Sequence, residues 1–525
     1  MPTLNWIGKE KVINHHQDVP YKTLEPQYTF TNSKEGKDAT SQNKIIHGDN
    51  LEALKSLLPE YEGKINCIYI DPPYNTGDEK WIYNDNVNSP KIKKWLGKIV
   101  GSESDDLSRH DKWLCMMYPR LVLLHKLLAK DGVIFISINF KYEHAHLKCL
   151  CNEIFGERNY IGELTWESTT QPINSGSARF GLQQKVEPIT FYAKNKNSIN
   201  GFLLEEIESG LKYPHQGILG KCRFEIIEKS DAGGYQRDTM KFEILGQKPR
   251  DGKRWQIGID TAIELEKNNR LEIIDGLVKK AVYPEDELEK RKFIPFWSHF
   301  SSEQVGSALN GKDILNEVMG EAVGFDTVKP PKLIEELISH LPKDSIILDS
   351  FAGSGTTAHA VLNLNKQDEG NRKFILVEME DYANTITAER VKRVINGYGE
   401  GSKAIEGTGG DFTYYELGEP LFLDNGFLNE DIALDKILEY VWYSEAKAPF
   451  IKPKEDYLLG AKNDTAYYFY YQKDSITTLD ESFLRSIKTK ASQYIIYADN
   501  CLLDQSIMDK YNIVFKKIPR DITRF

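Results

Sequence analysis

In two stretches of the chain, short runs of unbroken apolar residues alternate with longer segments whose apolar positions recur every three to four residues. The first stretch covers about residues 44–160. Lys44-Ile45-Ile46-His47 predicts a short strand ending in the turn Gly48-Asp49, residues 50–58 carry a helical pattern, and Ile65-Asn66-Cys67-Ile68-Tyr69-Ile70 predicts a buried strand. After a polar segment, helical spacing over 113–129 leads through Lys130-Asp131-Gly132 into a further strand, Val133 to Ile138. The second stretch, about 329–397, predicts a helix over 331–340, a strand over 345–349, a glycine turn, a helix over 356–364 and a strand over 373–378. Wholly apolar strands separated by amphipathic helices imply an α/β fold with a doubly wound, mainly parallel sheet covered on both faces.

The remaining sequence lacks this rhythm. Residues 167–321 carry scattered glycines, polar turns and charge-rich segments, as an inserted domain would. The tail has aromatic strand-like runs, Tyr467-Tyr468-Phe469-Tyr470-Tyr471 and Tyr494-Ile495-Ile496-Tyr497, between short helical segments, and a glycine-rich stretch over 400–410 precedes it. The expected organisation is an N-terminal arm over 1–40, a core assembled from 41–166 and 322–400, an insert over 167–321, and a small α/β domain over 411–525.

Composition narrows the class. The 525 residues are 40% hydrophobic and 28% charged, as in ordinary globular proteins. The apolar runs are too short to span a bilayer, and no basic segment followed by an apolar one opens the chain, so neither a membrane protein nor a secreted one is expected. Six cysteines without a CxxC pair argue against a disulfide scaffold or a metal centre, and a cytoplasmic location is expected. The net charge of −11 weighs mildly against a nucleic-acid partner, although a local basic surface can bind phosphates on an acidic protein.

The candidate chemistry lies at strand ends. Asp71-Pro72-Pro73-Tyr74 follows a predicted strand directly. Consecutive prolines fix φ and lack N–H donors, so the loop leaves the sheet rigidly. Such a loop can hold an acceptor oxygen still. An amino group on a heteroaromatic ring is a poor nucleophile because its lone pair is delocalised. Asp71 and the carbonyl of Pro72, accepting its two N–H bonds, would favour a pyramidal nitrogen, while the Tyr74 ring could stack on the base. The same tetrapeptide can also be a strand-ending turn with an aspartate cap. Asp349-Ser350-Phe351-Ala352-Gly353-Ser354-Gly355-Thr356-Thr357 joins a strand to a helix, yet it lacks the third glycine of a dinucleotide fingerprint and the lysine of a P-loop. Alone, it reads better as an ordinary turn. Glu378, closing the next strand, changes that reading, because a carboxylate there meets ribose hydroxyls in doubly wound folds.

Taken together, these motifs resemble the amino-methyltransferases acting on DNA in the permuted order of the β class, in which the catalytic motif precedes the cofactor motif. Asp71 to Tyr74 matches the catalytic motif and Asp349 to Gly355 the cofactor motif. Gly324-Phe325-Asp326-Thr327-Val328-Lys329-Pro330 matches the segment before the cofactor strand, and His47-Gly48-Asp49 the motif whose acid meets the cofactor's adenine amino group. Asp71-Pro72-Pro73-Tyr74-Asn75-Thr76-Gly77, Met116-Met117-Tyr118-Pro119-Arg120-Leu121 and Ile513-Val514-Phe515-Lys516-Lys517-Ile518-Pro519 are similar to the modification subunits of type III restriction systems. Where that family commonly has an acid after the strand 135–138, this chain has Asn139.

The resemblance implies a Rossmann-like fold binding S-adenosyl-L-methionine through Asp49, Asp326, Thr327, Lys329, Asp349, Phe351, Gly353, Gly355, Thr356 and Glu378. It implies methylation of adenine N6 in duplex DNA by Asp71, Pro72, Pro73 and Tyr74 after base flipping, with no metal. The insert would be a target recognition domain, with Lys248, Arg250, Lys253 and Arg254, crowded near Trp255, facing DNA. The polar loop 80–108 would line the DNA channel. A homodimer and a larger helicase–nuclease partner are the implied assembly. Cytosine N4 is the alternative target, and a DNA-recognition scaffold active only with its partner is the rival role.

Overall fold

The computed structural model describes residues 3–31, 34–36, 40–75, 109–172, 181–207, 212–232, 237–287, 292–325, 327–423, 425–448 and 450–524. They fall into two compact units, Met1–Leu203 with Trp297–Phe525, and Leu204–Phe296. The expected residue Asp326 and the expected channel loop 80–108 lie outside the described residues.

Among the described residues, the first unit is built on an eleven-stranded sheet. Its strands are β1 (Lys22–Thr31), β2 (Lys34–Gly36), β3 (Lys44–His47), β4 (Ile65–Ile70), β5 (Leu128–Ser137), β6 (Tyr160–Glu167), β7 (Val186–Ala193), β8 (His299–Phe300), β9 (Ile346–Asp349), β10 (Lys373–Glu378) and β11 (Asp411–Pro420). They lie in the order β8-β6-β7-β5-β4-β9-β10-β3-β11-β1-β2. The run from β5 to β11 is parallel, while β7 and β1 flank it antiparallel. The helices that concern the site are α1 (Asn50–Tyr61), α2 (Arg109–Leu127), α3 (His144–Cys151), α4 (Pro331–Ser339), α5 (Thr356–Asp368) and α6 (Glu389–Asn396).

The apolar strands behave as their pattern requires. Ile46, Ile68, Ile70, Ile134, Ile136, Leu348, Ile375 and Val377 share one core with leucines of α1 and α2. The intervening Ile45, Cys67, Phe135, Ile347 and Leu376 are equally buried, and the two-residue period of a strand turns them to the opposite face. Each such side chain contributes roughly 1.5–3 kcal/mol on burial. Local signals start the helices. Asp49 caps α1 by accepting from the N–H groups of Leu51 and Glu52, and Pro331 opens α4, where its missing N–H costs nothing.

The connection that positions the site is the pairing of β4 with β9, in register Leu348 to Ile68. From β4 the chain winds to β5 on one side, whereas from β9 it winds to β10 on the other. These two strands therefore form the switch point at which open α/β sheets bind ligands beyond their carboxyl ends.

The structure draws some boundaries differently from the sequence reading. Residues of the expected arm form β1 and β2, residues of the expected insert form β7 and β8, and the start of the expected C-terminal domain forms β11. Strand pairing decides this, because a distant segment that pairs with a sheet edge satisfies that edge's backbone N–H and C=O groups. The C-terminal residues add a four-stranded sheet in the order Leu458–Lys462, Thr465–Phe469, Gln493–Ala498, Ile513–Lys517. They belong to the first unit, where Tyr440 and Trp442 of helix Leu434–Ala446 join the core shared with α1 and α2.

The second unit carries a four-stranded antiparallel sheet, a strand pair Glu228–Ser230 with Lys253–Trp255, and the helix Ile259–Lys267. Trp255 is its central core residue, packed with Ile227, Ile244, Ala262, Leu271 and Val278. No helix among the described residues is long and apolar enough to cross a membrane.

Candidate functional site

Asp71 leaves the carboxyl end of β4, next to the strand that ends in Asp349. The loop after it is anchored at several points. Trp113 of α2, itself buried, donates its indole N–H to the Pro73 carbonyl at 2.7 Å. Asn75 takes a left-handed backbone with φ of 58°, and its amide donates to the Arg109 carbonyl at 3.0 Å and to the carboxylate of Glu143. Glu143 is fully buried and also meets Nδ1 of His110 and Nδ1 of His146, each at 2.7 Å. Two imidazoles and a carboxylate are a possible ligand set. An ion with bonds of ~2.0 Å spreads its ligands ~3.3 Å apart, wider than these contacts, so the trio reads as a hydrogen-bonded clamp on Asn75.

Lys329 enters the same pocket from the segment before α4. Its ammonium lies 2.7 Å from Asp71 Oδ2, 2.8 Å from the Tyr74 hydroxyl and 3.6 Å from Glu187 Oε2. Tyr74 in turn donates its O–H to Glu187 Oε2 at 3.0 Å. The rings of Tyr74 and Trp166 flank the ammonium, and the Trp166 indole is fixed by the Gly306 carbonyl at 2.8 Å. Burial works against the charge on Lys329, but Asp71 and Glu187 more than offset it and hold the group above its ordinary value. Burial pushes the Tyr74 phenol well up, with Asp71 and Glu187 adding to the effect. Asp71 Oδ1 is buried without a hydrogen-bond partner among the described residues. A carboxylate with one oxygen neutralised by an ammonium and the other free is an acceptor waiting for a donor.

One strand over, the loop after β9 turns through Gly353 and Gly355, both at positive φ. A side chain at Gly355 would meet Thr387, whose hydroxyl donates to the Gly353 carbonyl at 2.6 Å. Asp349 accepts from the Phe351 N–H at 3.0 Å and from the Thr357 hydroxyl at 2.6 Å. Glu378, at the end of β10, accepts from the Gly353 N–H at 2.8 Å and the Glu380 N–H at 3.0 Å. Burial raises the carboxyl of each to about 7, against the pull of those donors. Buried Arg390 of α6 holds Ser354 and Thr356 at 2.8 and 2.9 Å. Among the described residues the buried Ser350 hydroxyl has no hydrogen-bond partner, and a side chain at Gly353 would have nothing nearer than 4.0 Å. Open space beside a strand-end carboxylate and a spare hydroxyl fits an adenosine-type ligand.

Asp49, after β3, spends one oxygen capping α1 and lies 3.7 Å from Arg120, which is buried and bonded to Asn50. The carboxyl ends of β4, β9, β10 and β3 are neighbours in the sheet, so Asp71, Asp349, Glu378 and Asp49 lie along one edge. Thr327 is exposed. Lys329, expected near the cofactor, is the counterion of Asp71 and Glu187.

The expected DNA-facing residues lie in the second unit, and three of the four are paired there with acids. Arg250 binds Glu228 at 2.8 Å, Arg254 is 3.3 Å from Asp231, and Lys248 is 3.7 Å from Glu243. Lys253 sits in the short strand Lys253–Trp255. The patch is therefore less cationic than its sequence suggests. Sequence reasoning passed over Glu187, Trp166, Trp113, Glu143 and Arg120. For Glu187 a signal existed, since a charged residue heads the apolar run Pro188 to Ala193.

The family model described as DNA methylase matches residues 65–389. The type III restriction-modification enzyme EcoPI Mod subunit of Escherichia phage P1 is 33% identical over 428 residues, covering 73% of this chain and 64% of that protein. The EcoP15I Mod subunit of Escherichia coli is 30% identical over 433 residues, 72% of this chain and 64% of that one. The type II methyltransferase M.KpnI of Klebsiella pneumoniae is 30% identical over 367 residues, 65% of this chain and 81% of that protein. The chain spans less than two thirds of the length of the two Mod subunits it matches.

Proposed function

The chain belongs to the DNA methylase family, and from that premise we propose that it transfers a methyl group from S-adenosyl-L-methionine to adenine N6 in duplex DNA. The observation that carries the reading is the free Oδ1 of Asp71, held at the switch point of the sheet beside the loop 349–355. When bound, the cofactor supplies an electrophilic sulfonium methyl group. The chain does the rest by holding atoms still. Asp71 Oδ1 accepts one N–H of the target amino group and the Pro72 carbonyl accepts the other, freeing the nitrogen lone pair. Lys329 pairs with Asp71 and, with Glu187, fixes the Tyr74 ring as one wall for a flipped base. Asp349, Gly353, Gly355, Thr356 and Glu378 would cradle the nucleoside part of the cofactor, joined by Phe351, by Asp49 at the adenine and by the Asp326-Thr327 segment.

The likeness to Mod subunits supports a modification role in a type III restriction or phage-defence system, with a homodimer and a helicase–nuclease partner as the assembly. Sequence recognition would belong to residues of the insert, Lys248, Arg250, Lys253 and Arg254 among them. The family includes methylases of cytosine N4, and the choice of adenine rests on aspartate opening the motif.

The test is single-molecule sequencing of DNA from cells expressing the chain, beside an Asp71→Ala control. N6-methyladenine at one motif, lost in the control, supports the methyl-transfer activity, its adenine target and the role of Asp71. N4-methylcytosine would overturn the target, and an unmodified genome would overturn independent activity.

A further inference from the structure

Asp71 and Glu187 make ion pairs with Lys329 alone among the described residues. Among the described residues two carboxylates thus share one ammonium, a formal excess of one acidic group over the basic one. All three side chains are nearly shut off from water, with 8% of Lys329 and 13% of each carboxylate exposed. Asp349 and Glu378 stand at the ends of the neighbouring strands and add acid, not base, to the same edge. In such a water-poor cleft, a unit charge is felt across ~10 Å by any charged ligand.

A single carboxylate, that of Asp71, would have sufficed to pair with Lys329 and accept a proton donor. Glu187 comes from β7, an antiparallel strand outside the parallel core, and its Oε2 both receives the Tyr74 hydroxyl and lies near Lys329. Glutamine would accept the same tyrosine bond without the charge. What the carboxylate adds is the charge.

We propose that Glu187 is a charge-setting, positioning residue of this pocket, keeping it net negative so that a cationic sulfonium ligand is held in preference to its neutral thioether product. The inference rests on the proposed cofactor and goes beyond it. Methyl transfer discharges the sulfonium, so a net negative pocket loosens its own product. The residue acts through the field at the reacting centre, not by touching the transferred methyl group.

The experiment is calorimetric binding of S-adenosylmethionine and S-adenosylhomocysteine to the full chain and its variants, with thermal melts to verify folding. Glu187→Gln should weaken the sulfonium ligand on the order of tenfold and the thioether by less than about twofold. Glu187→Asp and Tyr74→Phe, which keep the charge, should leave the ratio of the two affinities near the wild-type value. Lys329→Met should move that ratio the opposite way, and does so even if the glutamine variant fails to fold. An unmoved ratio in Glu187→Gln, an equal loss for both ligands, or a shift of the same sign in Lys329→Met overturns the inference while leaving the cofactor reading intact. Wild-type protein that binds neither ligand overturns the cofactor reading itself.

Discussion

The ammonium of Lys329 reaches across 258 positions of sequence to lie 2.7 Å from Asp71 Oδ2. It is the cation shared by Asp71, at the end of β4, and Glu187 of β7. Removing it alone strands both charges, and breaking such a pair costs about 3–5 kcal/mol. Lys329→Met is expected to lose about that much in urea unfolding, and Lys329→Met with Asp71→Asn to recover part of it. Equal losses in the single and double variants would show that packing, not charge, is at stake.

Trp113 holds the catalytic loop by one indole bond to Pro73. Trp113→Phe keeps most of the apolar contact but leaves a carbonyl without its donor, at a cost of about 1–3 kcal/mol. Its kcat for methyl transfer should fall while its affinity for cofactor stays close to wild type. Titration calorimetry beside steady-state kinetics checks the split.

Asn75 has φ of 58°, a region open to glycine and strained for alanine. Both substitutions lose the bonds to Arg109 and Glu143. Asn75→Ala is therefore expected to be less stable than Asn75→Gly by about 1 kcal/mol in the same unfolding assay. The reverse order would mean that the loop relaxes out of this conformation.

Burial raises Asp349 and Glu378 to about 7 in the folded chain, from ordinary values near 4. A carboxyl whose pKa is higher folded than unfolded binds more protons in the folded state. The stability it contributes is full below pH ~4 and is lost as pH rises through ~7. Without cofactor, melting temperatures of wild type should therefore fall between pH 5 and 8 relative to Glu378→Gln. Parallel curves for the two proteins would contradict the sign.

In the second unit, Arg254 is well buried beside Asp231, whereas Lys248 is exposed and only loosely paired. If that surface meets DNA, Lys248→Ala should weaken binding evenly across sequences and reduce the salt slope by about one. Arg254→Ala should chiefly lower the melting temperature. Fluorescence anisotropy across a salt series reads the first effect and calorimetry the second.

The local signals carried the parallel core well. Short, mostly apolar runs such as Ile65 to Ile70 and Phe374 to Val377, alternating with amphipathic helical segments, point to a sheet covered on both faces. Asp71 and Glu378 were legible because each ends such a run, where a charge must leave the sheet. The edges were not legible. β1, β7, β8 and β11 contain ordinary mixed residues, and their place in the sheet depends on which unpaired backbone edge they meet.

The pocket divides in the same way. By itself the sequence determined that a rigid Asp71-Pro72-Pro73-Tyr74 loop follows β4 and that a glycine turn follows β9, because proline geometry and strand ends are local properties. Only the tertiary structure decided that Lys329 serves Asp71, that Glu187 from β7 faces Tyr74, and that Glu143 clamps Asn75. Coulomb attraction and the need to satisfy buried polar atoms act through space between residues far apart in the chain. No spacing along the sequence encodes such a partner until the sheet has formed.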